Sequence, residues 1–298
     1  MLISTLLRGA IEAGGTKFVC ALGTACGEIV RETTIPTGSP AETLEQVAAF
    51  FRAAGLPQAM GIASFGPLQL DPAASNYGFI TSTPKRDWRD FNLAGAVRKW
   101  FSGPLAIDTD VNAAALAENR WGAAQGLRTF LYVTVGTGIG AGAMVEGSLL
   151  HGSAHPEMGH IRIPHDRARD PFDGACPYHG DCLEGLASGR AIELRRGIEA
   201  SRLPDDDPVW TLEADYLALA CANWSCSFSP ERIILGGGLM QRDLFPRIRE
   251  HVNALLAGYV KTPHIVPSPL NNRAGVLGAI ALAFQISREQ AVSEPEAI

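Results

Sequence analysis

The stretch Phe130-Leu131-Tyr132-Val133-Thr134-Val135-Gly136-Thr137-Gly138-Ile139-Gly140, continued by Ala141 to Val145, reads as a strand, a tight glycine turn and a returning strand. β-Branched and aromatic side chains favour extended chain, and closely spaced glycines favour a turn. The amino-terminal region carries the same pattern. Gly9-Ala10-Ile11-Glu12-Ala13 leads into Gly14-Gly15-Thr16-Lys17, and Phe18 to Leu22 returns. Gly15-Thr16 and Gly136-Thr137 stand 121 residues apart, a domain-sized interval. Recurrence at that distance points to a duplicated α/β unit, because solenoid repeats recur every ~20–50 residues.

Around these anchors the chain alternates strands and helices. Glu28 to Ile35 reads as a third strand, and Ala41 to Ala54 as a helix with Leu44, Val47, Ala48 and Phe51 on one face. Ala59 to Ala63 is a buried strand ending at Ser64-Phe65-Gly66-Pro67. A Pro- and Asn-containing loop is expected over 71–90, and a helix over Leu93 to Phe101. Leu105 to Ile107 is a strand leading to Asp108-Thr109-Asp110-Val111-Asn112, with a helix expected from Ala113 to Trp121. Helices are expected over Ala187 to Ala200, Leu212 to Phe228 and Gly275 to Ile286. Arg232 to Leu235 is a buried strand opening onto Gly236-Gly237-Gly238, and Glu289 to Ile298 reads as a frayed tail.

Bulk properties narrow the function classes. With 298 residues, 46% hydrophobic and 19% charged, the chain is globular and large enough for one big core or two smaller ones. A net charge of −6 gives no basic footprint for nucleic acid or anionic lipid. The longest apolar run, Ala274 to Phe284, is far short of the ~20 residues of a membrane span. Met1 to Ile11 lacks the apolar core and cleavage site of a signal peptide. The expectation is a soluble cytoplasmic protein. Among six cysteines, Cys20, Cys26, Cys221 and Cys226 read as small buried hydrophobes.

Cys176 and Cys182 read differently. With His179 they form C-x2-H-x2-C, and His160, in Glu157-Met158-Gly159-His160, lies sixteen residues before Cys176. Two sulfurs and two imidazoles suit a closed tetrahedral zinc site, structural rather than catalytic. Glu157 and Glu184 stand beside ligands, so a metal would fix both carboxylates, which suits a polyhydroxylated substrate.

Glycine turns let backbone approach phosphate oxygens, with N–H groups and a threonine hydroxyl as donors. Either turn alone is as well explained as an ordinary hairpin; the pair favours phosphate binding. Gly138-x-Gly140-x-x-Ala143 fits the dinucleotide fingerprint in letters, but a strand follows instead of the required helix, and no Walker sequence occurs. Gly236 to Gly238 offers a flat surface for an adenine or ribose, though it equally suits a plain turn. Asp110 after a buried strand is either a helix N-cap or a general base taking a hydroxyl proton. Asn112 reads as a substrate-orienting residue and Asp108 as structural. Lys17 and Lys85 are candidate phosphate contacts set against a default of solvated lysines.

Taken together, Glu12 to Lys17, Asp108 to Ala114, Gly136 to Gly140, Glu157 to His160 and Gly236 to Gly238 resemble the ROK sugar-kinase family, in the family's order and over nearly the whole chain. The opening Glu12-Ala13-Gly14-Gly15-Thr16-Lys17 and the cysteine cluster resemble the family's bacterial fructokinases. The resemblance implies an actin-like ATPase (RNase H-like) α/β fold with two domains around a cleft. The expected division is 1–112, joined by the closing helix 280–298, and 113–279 with the zinc segment. The implied activity is ATP-dependent phosphorylation of a hexose, D-fructose to D-fructose 6-phosphate, using Mg2+ with ATP, structural Zn2+ and Asp110 as base. Another hexose is the alternative substrate. A sugar-responsive regulator would carry a DNA-binding domain ahead of Gly14, where this sequence leaves no room.

The same resemblance implies Glu157, His160 and Glu184 near the sugar or the zinc, and Asn112, Gly66 and Pro67 are further candidates for contact with the sugar. It implies Gly14, Gly15, Thr16, Lys17, Gly136, Thr137, Gly138, Gly236, Gly237 and Gly238 at the nucleotide, and a homodimer without nucleic-acid or membrane partners. Two features depart from the family pattern. Glu12 stands where many members have Asp, and the metal motif has two cysteines and a histidine where C-x-C-G-x-x-G-C has three cysteines.

Overall fold

The computed structural model describes residues 7–293. The chain forms two compact units, Met1–Trp121 with His151–His155 and Arg273–Ile298, and Gly122–Leu150 with Pro156–Asn272. Unit 1 opens with β1 (Arg8–Ala13), β2 (Lys17–Gly23), β3 (Ile29–Pro36), α1 (Pro40–Ala54) and β4 (Met60–Ser64). It continues with β5 (Phe79–Ile80), β6 (Phe91–Asn92), α2 (Leu93–Arg98), β7 (Leu105–Thr109) and α3 (Asp110–Trp121). Unit 2 contains β8 (Phe130–Val135), β9 (Ile139–Val145), β10 (Ser148–Leu149), α4 (Leu183–Ala187) and α5 (Gly189–Arg196). After them come α6 (Val209–Phe228), β11 (Arg232–Gly236), α7 (Phe245–Leu256) and β12 (His264–Pro267). The final helix, α8 (Ala274–Ser293), returns to unit 1.

Each unit is built on a five-stranded sheet, and the two sheets have one topology. The orders are β3-β2-β1-β4-β7 and β10-β9-β8-β11-β12. The first three strands of each are antiparallel hairpins, and the next two run parallel to the first. The recurrence of glycine turns in the sequence therefore corresponds to a repeated sheet. The parallel strands β1, β4 and β7 are buried at almost every position, as strands covered on both faces must be.

In unit 1, α8 lies against β1, β4 and α3. A Cβ on Gly61 of β4 would fall 2.0 Å from the Ala279 carbonyl oxygen, so only glycine permits this approach. Because α3 packs on α8, residues 113–121 stay with unit 1, whereas the expected boundary fell at 112. A separate core in unit 2 gathers Leu131, Val133, Leu186, Leu217 and Ile248 among its buried members.

Several elements differ from expectation. The helix expected over Ala187 to Ala200 is the shorter α5, because Ser188 is extended at ψ 161 and its side chain accepts the Ala191 amide at the start, and Gly197 in the left-handed region ends it. The expected loop 71–90 contains β5. The closing helix runs on to Ser293, across part of the expected tail, whose residues 294–298 lie outside the described residues, as do residues 1–6 of the amino terminus. Cys20 and Cys221 are buried, but Cys26 and Cys226 are exposed: a turn and an outer helix face keep them off the core. Among the described residues, no helix is long and apolar enough to cross a membrane.

Candidate functional site

Parallel strands gather the candidate residues of unit 1 at one edge. Ala13 pairs with Ser64, and Ser64 with Thr109, so β1, β4 and β7 end side by side. Beyond those ends come Gly14-Gly15-Thr16, Gly66-Pro67 and Asp110. The carboxyl ends of parallel strands are where open α/β sheets hold ligands, because the following loops diverge there.

Asp110 is the first residue of α3. Its Oδ1 accepts the Val111 amide at 2.9 Å, while Thr109 Oγ1 accepts the Asn112 amide at 3.1 Å and so caps the helix. The capping role thus falls on Thr109 and leaves Asp110 for other work. Burial raises the Asp110 carboxyl from 3.8 to about 6, against the lowering effect of the Val111 amide. Glu12, on β1, is raised from 4.5 to about 7 by burial and then by the negative charge of Asp110; Lys17 and the Val276 amide at the start of α8 oppose the rise. Two carboxyls of elevated pKa in one neighbourhood is a pattern typical of a working site.

The Gly14–Lys17 turn is closed by Gly14 N–H donating to the Lys17 carbonyl at 2.9 Å, and Thr37 Oγ1 donates to the Gly14 carbonyl at 2.8 Å. Thr16 and Lys17 are exposed. Lys85 lies against this turn, its Cε 3.3 Å from where a Gly15 Cβ would be. The Gly66–Pro67 peptide is cis, and the Pro67 carbonyl accepts from the Thr81 amide at 2.8 Å. Asn112 is 2% exposed with Nδ2 donating to Asp108 Oδ1 at 2.9 Å, so its amide nitrogen is engaged inside the unit.

Unit 2 repeats the arrangement. β8 and β11 are parallel neighbours with Gly236 opposite Thr134, which puts Gly136–Gly138 and Gly236–Gly238 at the same sheet edge. Gly237 has φ 91, and a Cβ there would fall 2.4 Å from the Val135 carbonyl, so this turn requires glycine. The carbonyls of Gly136 and Thr137 accept the Gly189 and Arg190 amides of α5 at 2.7 and 3.3 Å. Peptide planarity turns the N–H groups of Thr137 and Gly138 the opposite way, as phosphate donors would need to point.

Glu184, on α4, ties this turn to the cysteine segment. Its Oε2 accepts the Ile139 amide at 3.0 Å, and its Oε1 lies 4.0 Å from His160 Nε2. A Cβ on Gly159 would fall 1.9 Å from the Ile139 carbonyl, so glycine brings Glu157-Met158-Gly159-His160 hard against β9. Glu157 is exposed at the head of this short turn.

His160, Cys176, His179 and Cys182 each offer an atom within 4.8 Å of the others. Cys176 Sγ lies 3.7 Å from His160 Nδ1 and 3.6 Å from His179 Nδ1, and Cys182 Sγ lies 3.5 Å from His160 Nδ1. Zinc bonds of ~2.3 Å to sulfur and ~2.0–2.1 Å to nitrogen imply tetrahedral edges of about 3.6 Å. The residues fit zinc. Burial, then the neighbouring Cys176 sulfur, push the Cys182 thiol up to about 11, so two adjacent thiolates require a cation. His160 would bind through Nδ1, leaving Nε2 4.0 Å from Glu184 Oε1, beyond direct hydrogen-bond distance.

The sequence reading missed His151 and His155. His151 Nε2 lies 2.9 Å from Asp108 Oδ2, and His155 Nε2 accepts the Leu68 amide at 2.9 Å. Both partners are distant in sequence, and no local spacing announces them.

The model of the ROK family matches residues 8–286. A fructokinase of Pediococcus pentosaceus is 45% identical over 93% of this chain and 98% of its own, and one of Zymomonas mobilis is 44% identical over 93% and 96%. A ROK family glucokinase from Streptomyces griseus, solved in complex with glucose and AMPPNP, superposes with a TM-score of 0.77 at 26% identity, covering 94% of this chain and 99% of that one.

Proposed function

The chain belongs to the ROK family, and from that premise we propose that it is a fructokinase, transferring the γ-phosphoryl group of ATP to O6 of D-fructose. The observation that carries the residue assignment is the half-buried Asp110 carboxylate, relieved of capping by Thr109 and set beside the Gly14–Lys17 turn and Gly66-Pro67.

In this reading Asp110 accepts the proton of the attacking hydroxyl. The oxygen then forms its bond to the γ-phosphorus as the bond to the β-phosphate oxygen breaks, leaving ADP and the sugar phosphate. A base held near 6 is ionised at neutral pH yet basic enough to take the proton in the transition state. Gly66 and Pro67 in unit 1, and Glu157, His160 and Glu184 in unit 2, are assigned to sugar hydroxyls. Gly14, Gly15, Thr16 and Lys17 in unit 1, with Gly136, Thr137, Gly138 and Gly236 to Gly238 in unit 2, are assigned to ATP. Magnesium bound with ATP supplies charge neutralisation on the phosphates. Zinc held by His160, Cys176, His179 and Cys182 would supply a structural clamp. A cytoplasmic homodimer belongs to the same reading, tested by light scattering and cell fractionation.

An ADP-release assay across fructose, glucose, mannose and N-acetylhexosamines tests the proposal. The expected result is the highest kcat/KM for fructose. A preference for another hexose would reassign the substrate, and no ADP release with any of them would overturn the kinase reading.

A further inference from the structure

His151-Gly152-Ser153-Ala154-His155 belongs to unit 1, although the chain before it and after it belongs to unit 2. A histidine stands at each end of this five-residue visit. His151 Nε2 lies 2.9 Å from Oδ2 of Asp108, a side chain only 4% exposed. An ionised carboxylate can only accept, so this ring nitrogen carries a proton and donates it. The other oxygen of Asp108 accepts the Thr109 amide at 2.7 Å and Asn112 Nδ2 at 2.9 Å. Asn112 Nδ2 and His151 Nε2 are 3.4 Å apart, but two donors do not bond, and both serve Asp108. Three donors therefore converge on one buried carboxylate, from His151 and from the two residues, Thr109 and Asn112, that bracket Asp110.

At the other end, the Leu68 amide donates to His155 Nε2 at 2.9 Å, and His155 is buried. A backbone amide can only donate, so Nε2 is bare and the ring proton of a neutral His155 sits on Nδ1. A Cβ on Gly66 would lie 3.2 Å from His155 Cε1, so the ring also packs against the Gly66-Pro67 turn.

We propose that His151–His155 is a two-point clasp, in which His151 positions Asp110 through Asp108 and His155 positions Gly66-Pro67 through the Leu68 amide. The clasp rests on the kinase reading given above. Its two ends act on different quantities. Loosening the Asp108 turn displaces the base during the reaction, whereas loosening Leu68 spoils the loop assigned to the ground-state sugar. A group moved by ~1 Å costs up to ~100-fold in rate, and a lost hydrogen bond with an orphaned amide is worth about tenfold in binding.

The experiment compares wild type with His151→Ala, His151→Gln, His155→Ala and His155→Gln, reading kcat, KM for fructose, KM for ATP and the thermal midpoint. For His151→Ala the expected result is kcat about tenfold or more lower, with fructose KM within about twofold. For His155→Ala it is fructose KM about tenfold higher with a smaller change in kcat. ATP KM holds in both. Glutamine restores most of each loss, since its amide can donate to Asp108 at 151 and its carbonyl can accept from Leu68 at 155. Where an alanine variant does not fold, phenylalanine keeps the ring volume without the nitrogen and takes its place. Equal changes in every constant, a lowered midpoint with kinetics intact, or no rescue by glutamine would overturn the clasp while leaving the kinase reading standing. An inactive wild type would overturn both.

Discussion

Glu184 accepts the Ile139 amide at 3.0 Å with one oxygen and stands 4.0 Å from His160 Nε2 with the other. A single side chain thereby stands between the candidate metal cluster and the glycine turn of β8 and β9. Removing metal frees His160 and Cys182, the latter directly preceding α4, and α4 carries Glu184. Chelation is expected to lower the thermal midpoint by about 5 °C or more and to raise the KM for ATP in the protein that remains folded. Calorimetry and ATP titration before and after dialysis against a chelator check this. If neither moves and the protein contains no zinc, the quartet does not hold metal.

Asp110→Asn keeps the shape of the side chain and removes its basicity. Turnover is expected to fall by ~10²–10⁴-fold, with fructose affinity retained. The same variant should melt higher than wild type at pH 8, because the wild type there buries a charge whose cost is reflected in the rise from 3.8 to about 6. Single-turnover assays and thermal melts read the two effects separately. A variant with near wild-type kcat would remove Asp110 from its role.

The pH dependence follows from the signs. Asp110 and Glu12 both have folded pKa values raised above their unfolded ones, to about 6 and about 7. The native state therefore holds these protons more tightly, and the stabilisation is complete below about 4 and lost as pH rises through about 7. In nucleotide-free protein, the stability difference between wild type and Glu12→Gln should shift in the variant's favour across that window by about 2–3 kcal/mol at most. Urea midpoints at pH 5 and pH 8 measure it. For activity the sign reverses, since the base must be ionised: kcat/KM should fall about tenfold per unit below pH ~6.

Gly159→Ala inserts a Cβ 1.9 Å from the Ile139 carbonyl oxygen, backbone against backbone. The expected loss is at least about 2 kcal/mol of stability, together with weaker zinc retention, because His160 is the next residue. Urea unfolding and metal content report both; a variant with unchanged stability would mean that β9 and the Glu157–His160 turn separate easily.

The sequence carried the parts of this structure that depend on neighbours along the chain. Glycine turns after β-branched runs announced the two hairpins, and Leu44, Val47 and Phe51 announced α1. The C-x2-H-x2-C spacing announced three of the four residues of the candidate metal cluster. Other elements were present but unread: Phe245, Ile248, Val252 and Leu256 give α7 a helical stripe, yet Pro246 and a charged outer face masked it. β12 has only four residues, too few for a period to emerge. His151 and His155 could not be read locally at all, since each matters through a partner more than forty positions away. Asp110 shows the intermediate case: its place after a strand was legible, but only the structure shows that Thr109, by accepting the Asn112 amide, takes the capping role.

The two sheets share one strand order, and the corner that carries Asp110 after β7 is occupied after β12 by Ser268, whose Oγ accepts the Asn271 amide at 3.1 Å. At this matching corner one sheet carries an acid and the other a serine hydroxyl that holds the turn following it. The chemistry-bearing side chains of unit 2, the candidate sulfur and imidazole ligands, sit instead in the long excursion between β10 and β11.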